Sequence, residues 1–117
     1  MEYVDGFVAA VPKENKALYR EHVLKIASVF KEHGALSVIE CWEDDVAEGQ
    51  LTSFPQAVMK QENECVVFSW ISWPSKEVRD VGMKAVFDDP MIQREMAVMP
   101  FDTKRLIYGG FSVLVNE

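Results

Sequence analysis

The chain has 117 residues, of which 49% are hydrophobic and 26% charged, with too few glycines and prolines for a disordered or collagen-like polypeptide. Nineteen acidic against twelve basic residues give a formal net charge of −7, which repels phosphate backbones and anionic lipid, so neither nucleic acid nor a membrane is an expected partner. A chain of this length buries a core without disulfides or a metal, so one domain spanning residues 1–117 is expected, with no cofactor called for and no structural task for the two cysteines.

The opening Met1-Glu2-Tyr3-Val4-Asp5 is acidic where a secretory signal is basic, and the apolar run after it is too short to span a bilayer, so a cytoplasmic protein is expected. Residues 3–11, rich in Val, Ala and Phe and closed by Pro12, read as a first strand. A helix is predicted over 15–33, with Gly34 as its stop: Leu18, Tyr19, His22, Val23, Ile26, Val29, Phe30 and His33 fall on one arc, and Arg20, Glu21, Lys25, Lys31 and Glu32 on the other. Residues 35–43 form a second strand. The connection over 44–64 is long for a hairpin, but Ser53 with Gln56 makes a capping box and predicts a short helix near 54–61. Residues 65–73 are dense in β-branched and aromatic side chains, a third strand ended by Pro74.

Ser75 caps the next helix and Glu77 complements its positive end, with Val78, Val81, Gly82, Ala85 and Val86 on one face and Gly82 allowing close approach to the sheet. Asp89-Pro90 starts a short helix to about Ala97, and residues 105–115 form the last strand. The order is βαββαβ. It predicts an α+β, ferredoxin-like fold, a four-stranded antiparallel sheet with two main helices on one face.

Two helices cover one face of such a sheet, and the other should alternate to polar residues if it meets water. The alternation instead yields two apolar sets. Val4, Val8, Ile39, Cys41, Val67, Ile71, Ile107, Phe111 and Val113 suit packing beneath the helices; Phe7, Val38, Trp42, Phe68, Trp70, Leu106 and Tyr108 are assigned to the opposite face. So much apolar surface requires a cover, and a second copy of the chain is the economical one. Asp5, Glu40 and Tyr108 share that second face, which points to a cavity between the sheets of a dimer.

The segments Asp5-Gly6-Phe7-Val8, Glu40-Cys41-Trp42-Glu43-Asp44-Asp45-Val46, Thr52-Ser53-Phe54-Pro55, Val67-Phe68-Ser69-Trp70-Ile71, Trp73-Pro74-Ser75-Lys76, Met99-Pro100-Phe101-Asp102 and Arg105-Leu106-Ile107-Tyr108-Gly109-Gly110-Phe111 resemble the YbaA-like bacterial family, domain of unknown function 1428, through nearly the whole chain. The resemblance implies a dimeric α/β barrel. It implies no activity and carries over no catalytic residue, because the wider superfamily spans cofactor-independent monooxygenases, isomerases, haem-dependent enzymes and proteins without known chemistry.

The residues themselves offer few sites. His22 and His33, the only histidines, are separated by roughly 16 Å along the helix and cannot share a metal; both read as packed, hydrogen-bonded helix histidines, with a functional role as the alternative. Cys41 and Cys65 lie near facing ends of two strands, where a disulfide is sterically conceivable, but reduced thiols fit a cytoplasmic chain. Asp44-Asp45 lack the ligand loop of a calcium site. Gly109-Gly110 lies inside a strand, which excludes a phosphate loop. The topology is shared with RNA recognition motifs, but the acidic charge and the absent basic-Gly-aromatic motif exclude that reading. Glu40 with Tyr108, and Asp5 beside them, is the sharpest constellation: a carboxylate desolvated near Trp42 and Trp70 serves acid/base chemistry, or else accepts structural hydrogen bonds at an interface. The expected function is binding of a small aromatic or amphipathic molecule, with Trp42, Trp70 and Phe68 as walls and Glu40, Asp5 and Tyr108 as polar anchors. A non-catalytic assembly protein, and a cofactor-independent monooxygenase or isomerase using Glu40 as base, are the alternatives.

Overall fold

The structure, a computed structural model, describes residues 2–117. Strand β1 (Tyr3–Pro12) leads through a 3-10 turn (Lys13–Asn15) into helix α1 (Lys16–Glu32) and strand β2 (Ser37–Trp42). A short helix α2 (Phe54–Ala57) interrupts the connection to β3 (Glu64–Trp73); α3 (Lys76–Phe87), α4 (Pro90–Ala97) and a 3-10 turn (Thr103–Arg105) then lead to β4 (Ile107–Ser112). The strands lie in the order β2-β3-β1-β4, and every neighbouring pair is antiparallel. α1 carries the chain from β1 past β3 to β2, and α3 with α4 carries it from β3 past β1 to β4, so two split crossovers interlock.

Local chemistry accounts for the helix ends. Ser53, Ser75 and Asp89 each accept a bond from a backbone N–H of the first turn, those of Gln56, Val78 and Met91 respectively. The Ser53 box is half made, because the Gln56 amide donates to the carbonyls of Glu48 and Gln50 and so ties down the preceding loop instead. Gly34, at φ 107°, ends α1 in a conformation that side chains rarely adopt. The buried stripe of α1 runs through Tyr19, His22, Val29 and Phe30; Leu18, assigned to it by periodicity, is half exposed. On α3 the stripe passes through Gly82 and Val86, while Val81 is mostly exposed. The last strand is shorter than the predicted 105–115: Arg105 is held in the preceding turn by Glu64 and Asp102, and Leu114 and Val115 stand in solvent.

The face assignment inverts for three of the four strands. Directly paired residues share a face, and the register places Phe7 opposite Ser69 and Tyr108, Asp5 opposite Ile71, and Glu40 opposite Ser69. Phe7, Val38, Trp42, Leu106 and Tyr108, with Asp5 and Glu40, therefore lie on the helix side with Val67 and Ile71. Val4, Val8, Ile39, Cys41, Ile107 and Phe111 lie on the outer side with Phe68 and Trp70. Both sets are apolar, so period two could not tell inside from outside; cross-strand register decides it. The outer face is half clothed: Val58, just past α2, packs with Val8, Ala10 and Val66, and Phe54 meets Phe68 edge-on, leaving Ile39, Ile107 and Phe111 uncovered.

Gly82 is where α3 touches the sheet, since a Cβ there would collide with the His33 carbonyl oxygen and stand 2.6 Å from the Trp73 ring. Gly82→Ala is expected to lower stability by about 1–3 kcal/mol through this overpacking, read as a fall in the urea midpoint at unchanged slope.

Candidate functional site

Beyond the contact at Gly82, the helices stand off the sheet and leave a half-open cavity of about 390 Å³ between them. Its floor is one row of directly paired residues crossing all four strands, Glu40-Ser69-Phe7-Tyr108, flanked by Val38, Ile71, Asp5 and Ala9. Three strand spacings separate Glu40 from Tyr108, roughly 14 Å, so they mark opposite ends of the cavity and form no pair. The roof comes from Tyr19, His22, Val23, Ile26 and Phe30 of α1, Arg79, Met83 and Phe87 of α3, and Met96 of α4; Met99, Phe101 and Leu106 close one side. Asn15 donates to the Pro100 carbonyl at 2.9 Å, which fastens that side to the start of α1. The lining is chiefly aliphatic, aromatic and thioether, suited to an apolar guest of variable shape.

Three polar contacts hold the roof. The Asp5 carboxylate, 3% exposed, accepts Trp73 Nε1–H at 3.0 Å and the Arg79 guanidinium through Nη2 at 2.8 Å and Nε at 3.1 Å; Arg79 also lies 5.0 Å over the Tyr3 ring. This carboxylate is fully engaged, and the structure gives it an anchoring role. The Tyr19 hydroxyl donates to Glu40 Oε1 at 2.6 Å. Burial, then the Glu40 charge and this bond, push the Tyr19 pKa far above the ordinary phenol range. Water still reaches Glu40, but the protein around it desolvates the carboxylate and raises its pKa, only partly offset by the Tyr19 and Ser69 hydroxyls. The third contact joins His22 Nδ1 to Glu95 Oε2 at 3.0 Å, with Lys25 on the other oxygen at 3.4 Å. Desolvation works against the Glu95 charge, yet the bonds and charges of His22 and Lys25 prevail and hold its pKa below the usual carboxylate range. His22 is itself buried, and Nε2 has no hydrogen-bond partner among the described residues.

Residues 2–103 match the family described as "Protein of unknown function (DUF1428)". The chain belongs to this family. It is 53% identical over all 117 residues, the full length of both chains, to the uncharacterized protein YbaA of Escherichia coli (strain K12), and equally to that of Shigella flexneri. Among solved structures, SnoaB, a cofactor-independent oxygenase from Streptomyces nogalater, aligns with a TM-score of 0.58 at 12% identity over 98% of this chain and 95% of that one. Rv0793 from Mycobacterium tuberculosis aligns at 0.54 and 13% over 99% and 98%. These likenesses show a shared α+β fold.

The expected site is divided by the structure. Asp5, Glu40 and Tyr108 reach the cavity beneath the helices, which lies within one chain and not between two sheets. Tyr108 is 74% exposed and stacks on Phe7 at 6.5 Å, leaving Tyr19 as the partner of Glu40. Phe68 and Trp70 are neighbours on the outer face, and Trp42 sits by Tyr19 at 6.3 Å under the Lys16 ammonium, outside the cavity lining. Sequence reasoning missed Tyr19 and Glu95 as site residues, and read His22 as a packed helix histidine with a functional role as the alternative. Tyr19 shared the apolar arc of one helix with His22, which was a signal in itself; Glu95 comes from a distant helix that no local pattern connects to it. Cys41 and Cys65 are both free, on opposite faces of adjacent strands, which excludes the disulfide. Among the described residues no three potential metal ligands converge, and no helix is long and apolar enough to cross a membrane.

The raised pKa of Glu40 fixes a sign. A carboxylate harder to ionise in the folded chain costs stability above its folded pKa and nothing below its unfolded value. Glu40→Gln, which can still accept from Tyr19, is therefore expected to raise the thermal midpoint at pH 7 relative to wild type and to lose that advantage near pH 3, as measured by calorimetry at both values.

Proposed function

We propose that this chain works as one cytoplasmic domain that binds a small aromatic or amphipathic molecule between its sheet and its helices. One observation carries the reading: an apolar cavity of about 390 Å³ with a few polar groups at its margins, the size and composition of small-molecule sites. A protein made only for assembly has no use for such a space. Val38 lines it from β2, and Val38→Trp, a residue strands accept well, fills it. The expected result is a loss of naphthalene affinity of about tenfold or more, equivalent to about 1.4 kcal/mol, with the thermal midpoint near that of wild type; fluorescence titration reads it.

We further propose that the domain pairs with a second copy through its outer face, in the manner of a ferredoxin-like dimeric α/β barrel. Ile39, Phe68, Ile107 and Phe111 form an exposed apolar strip there, more than a soluble monomer leaves uncovered. Phe111 is 63% exposed in the single chain, so Phe111→Glu removes little from the monomer's own core. Sedimentation at micromolar concentration is expected to show a dimer for wild type and a monomer for the variant, with the variant's folding stability changed by no more than about 0.5 kcal/mol.

A cofactor-independent oxygenase or isomerase is the enzymatic reading. The fold shared with SnoaB favours it by analogy, and the cavity supplies a largely apolar lining.

A further inference from the structure

We propose that the guest of the cavity is an organic cation, a primary ammonium carried on an apolar aromatic body, and that Glu40 is its counter-ion. The inference deepens the small-molecule reading and rests on it. Carboxylates set into the packed parts of the chain are matched by basic side chains, Asp5 by Arg79, Glu43 by Lys60, Glu64 by Arg105 and Glu95 by Lys25. Glu40 is the exception. Among the described residues no lysine, arginine or histidine lies within ion-pair distance of it. An acid in open water needs no such partner, but Glu40 bounds the cavity, and the protein around it removes enough water to disfavour its charge.

The neighbours of Glu40 supply hydrogen bonds and no charge. The Tyr19 hydroxyl donates to it at 2.6 Å and the Ser69 hydroxyl also bonds to it, whereas an ionised carboxylate has sites for about four donors, so room is left for another. Lys16, one turn before Tyr19 on α1, is engaged elsewhere, 5.3 Å over the Trp42 ring. Asp5 and Arg79, the acid and the guanidinium that also line the cavity, offset one another at 2.8 Å. The lining is thus left with an unbalanced carboxylate at one end, which a cation bearing N–H donors matches in both charge and hydrogen bonding. A neutral guest supplies only the second.

The placement of Glu40 also orients the guest. Water reaches this residue on the edge strand, so an ammonium seated there keeps part of its hydration and avoids the cost of full burial. Aromatic faces stand beside it, Tyr19 with Phe101 at 5.8 Å, and such faces attract cations, as Trp42 does with Lys16. From that end the apolar body extends over Phe7 and Ile71, beneath Ile26, Phe30 and Met83. Tyr108, roughly 14 Å from Glu40 across three strand spacings, faces the other end of the guest.

The test uses the full chain with two probes of nearly the same shape, 1-naphthylmethylamine, which is protonated at about pH 7, and the neutral 1-naphthylmethanol. Fluorescence titration of wild type is expected to favour the amine by at least about tenfold, the scale of one hydrogen bond to a charged group. Glu40→Gln should bring the ratio of the two affinities to within about twofold of unity. Glu48→Gln, which removes the same charge from an exposed loop residue outside the cavity lining, should leave the ratio at its wild-type value. In wild type, which needs no variant, the aminomethyl protons are expected to show intermolecular NOEs to the Glu40 side chain and none to the Tyr108 ring. A wild-type ratio near unity, an equal fall in both variants, or a head group in contact with Tyr108 overturns the inference and leaves the cavity reading intact. Failure of both probes to bind wild type removes the cavity reading and this inference with it.

Discussion

The buried carboxylate of Asp5 sets the relation between the two layers, because it must be satisfied within the gap between sheet and helices. Trp73 meets it from within the sheet and Arg79 from above, so α3 is held at the height of a guanidinium instead of settling by apolar contact alone. Breaking such a pair leaves an uncompensated charge in a dry interior, a far larger loss than the net gain from forming it. The Tyr19-Glu40 bond supports α1 over β2 in the same way, and the His22-Glu95 contact braces α1 against α4. A roof resting on polar posts at its margins leaves space beneath its middle, and that space is the cavity.

The posts also explain the uneven density of the interior. Trp73, Phe30, Val86 and Ile92 fill one end to the packing of an ordinary core, helped by the contact at Gly82. Toward Phe7 and Ser69 the same layers part, and the lining turns to methionine and single aromatic rings. One sheet thus serves as a foundation at one end and as a binding floor at the other, and the ion pair at Asp5 stands between them.

Much of this was legible from residues alone. Strand and helix order, the caps at Ser53, Ser75 and Asp89, and the close approach at Gly82 follow from local rules that tertiary packing did not override. The fold also agrees with the family resemblance carried by the motifs. Which face of the sheet meets the helices did not follow, since an alternation with Val, Ile and Phe on one side and Phe, Trp and Val on the other contains no polar marker of the outside. Asp5 and Glu40, the polar residues of that alternation, suggest an outer interface by sequence, whereas they are the feet of posts inside. The site suffered most from this inversion, because its polar candidates travelled to the correct side while Phe68 and Trp70 stayed behind. The apolar neighbours of His22 on the helix suggest a satisfied core residue, and only the distant Glu95 reveals that one ring nitrogen is paired and the other is not.

The two cysteines, which have no bond to make with each other, gain a use from the faces they occupy. Cys41 stands open beside Phe68 on the outer side, while Cys65 lies on the helix side opposite Val11. Nature has thereby placed one alkylatable sulfur on each surface of a single sheet, so the ratio of their labelling rates gauges shielding of one side against an internal standard on the other, with no engineered tag.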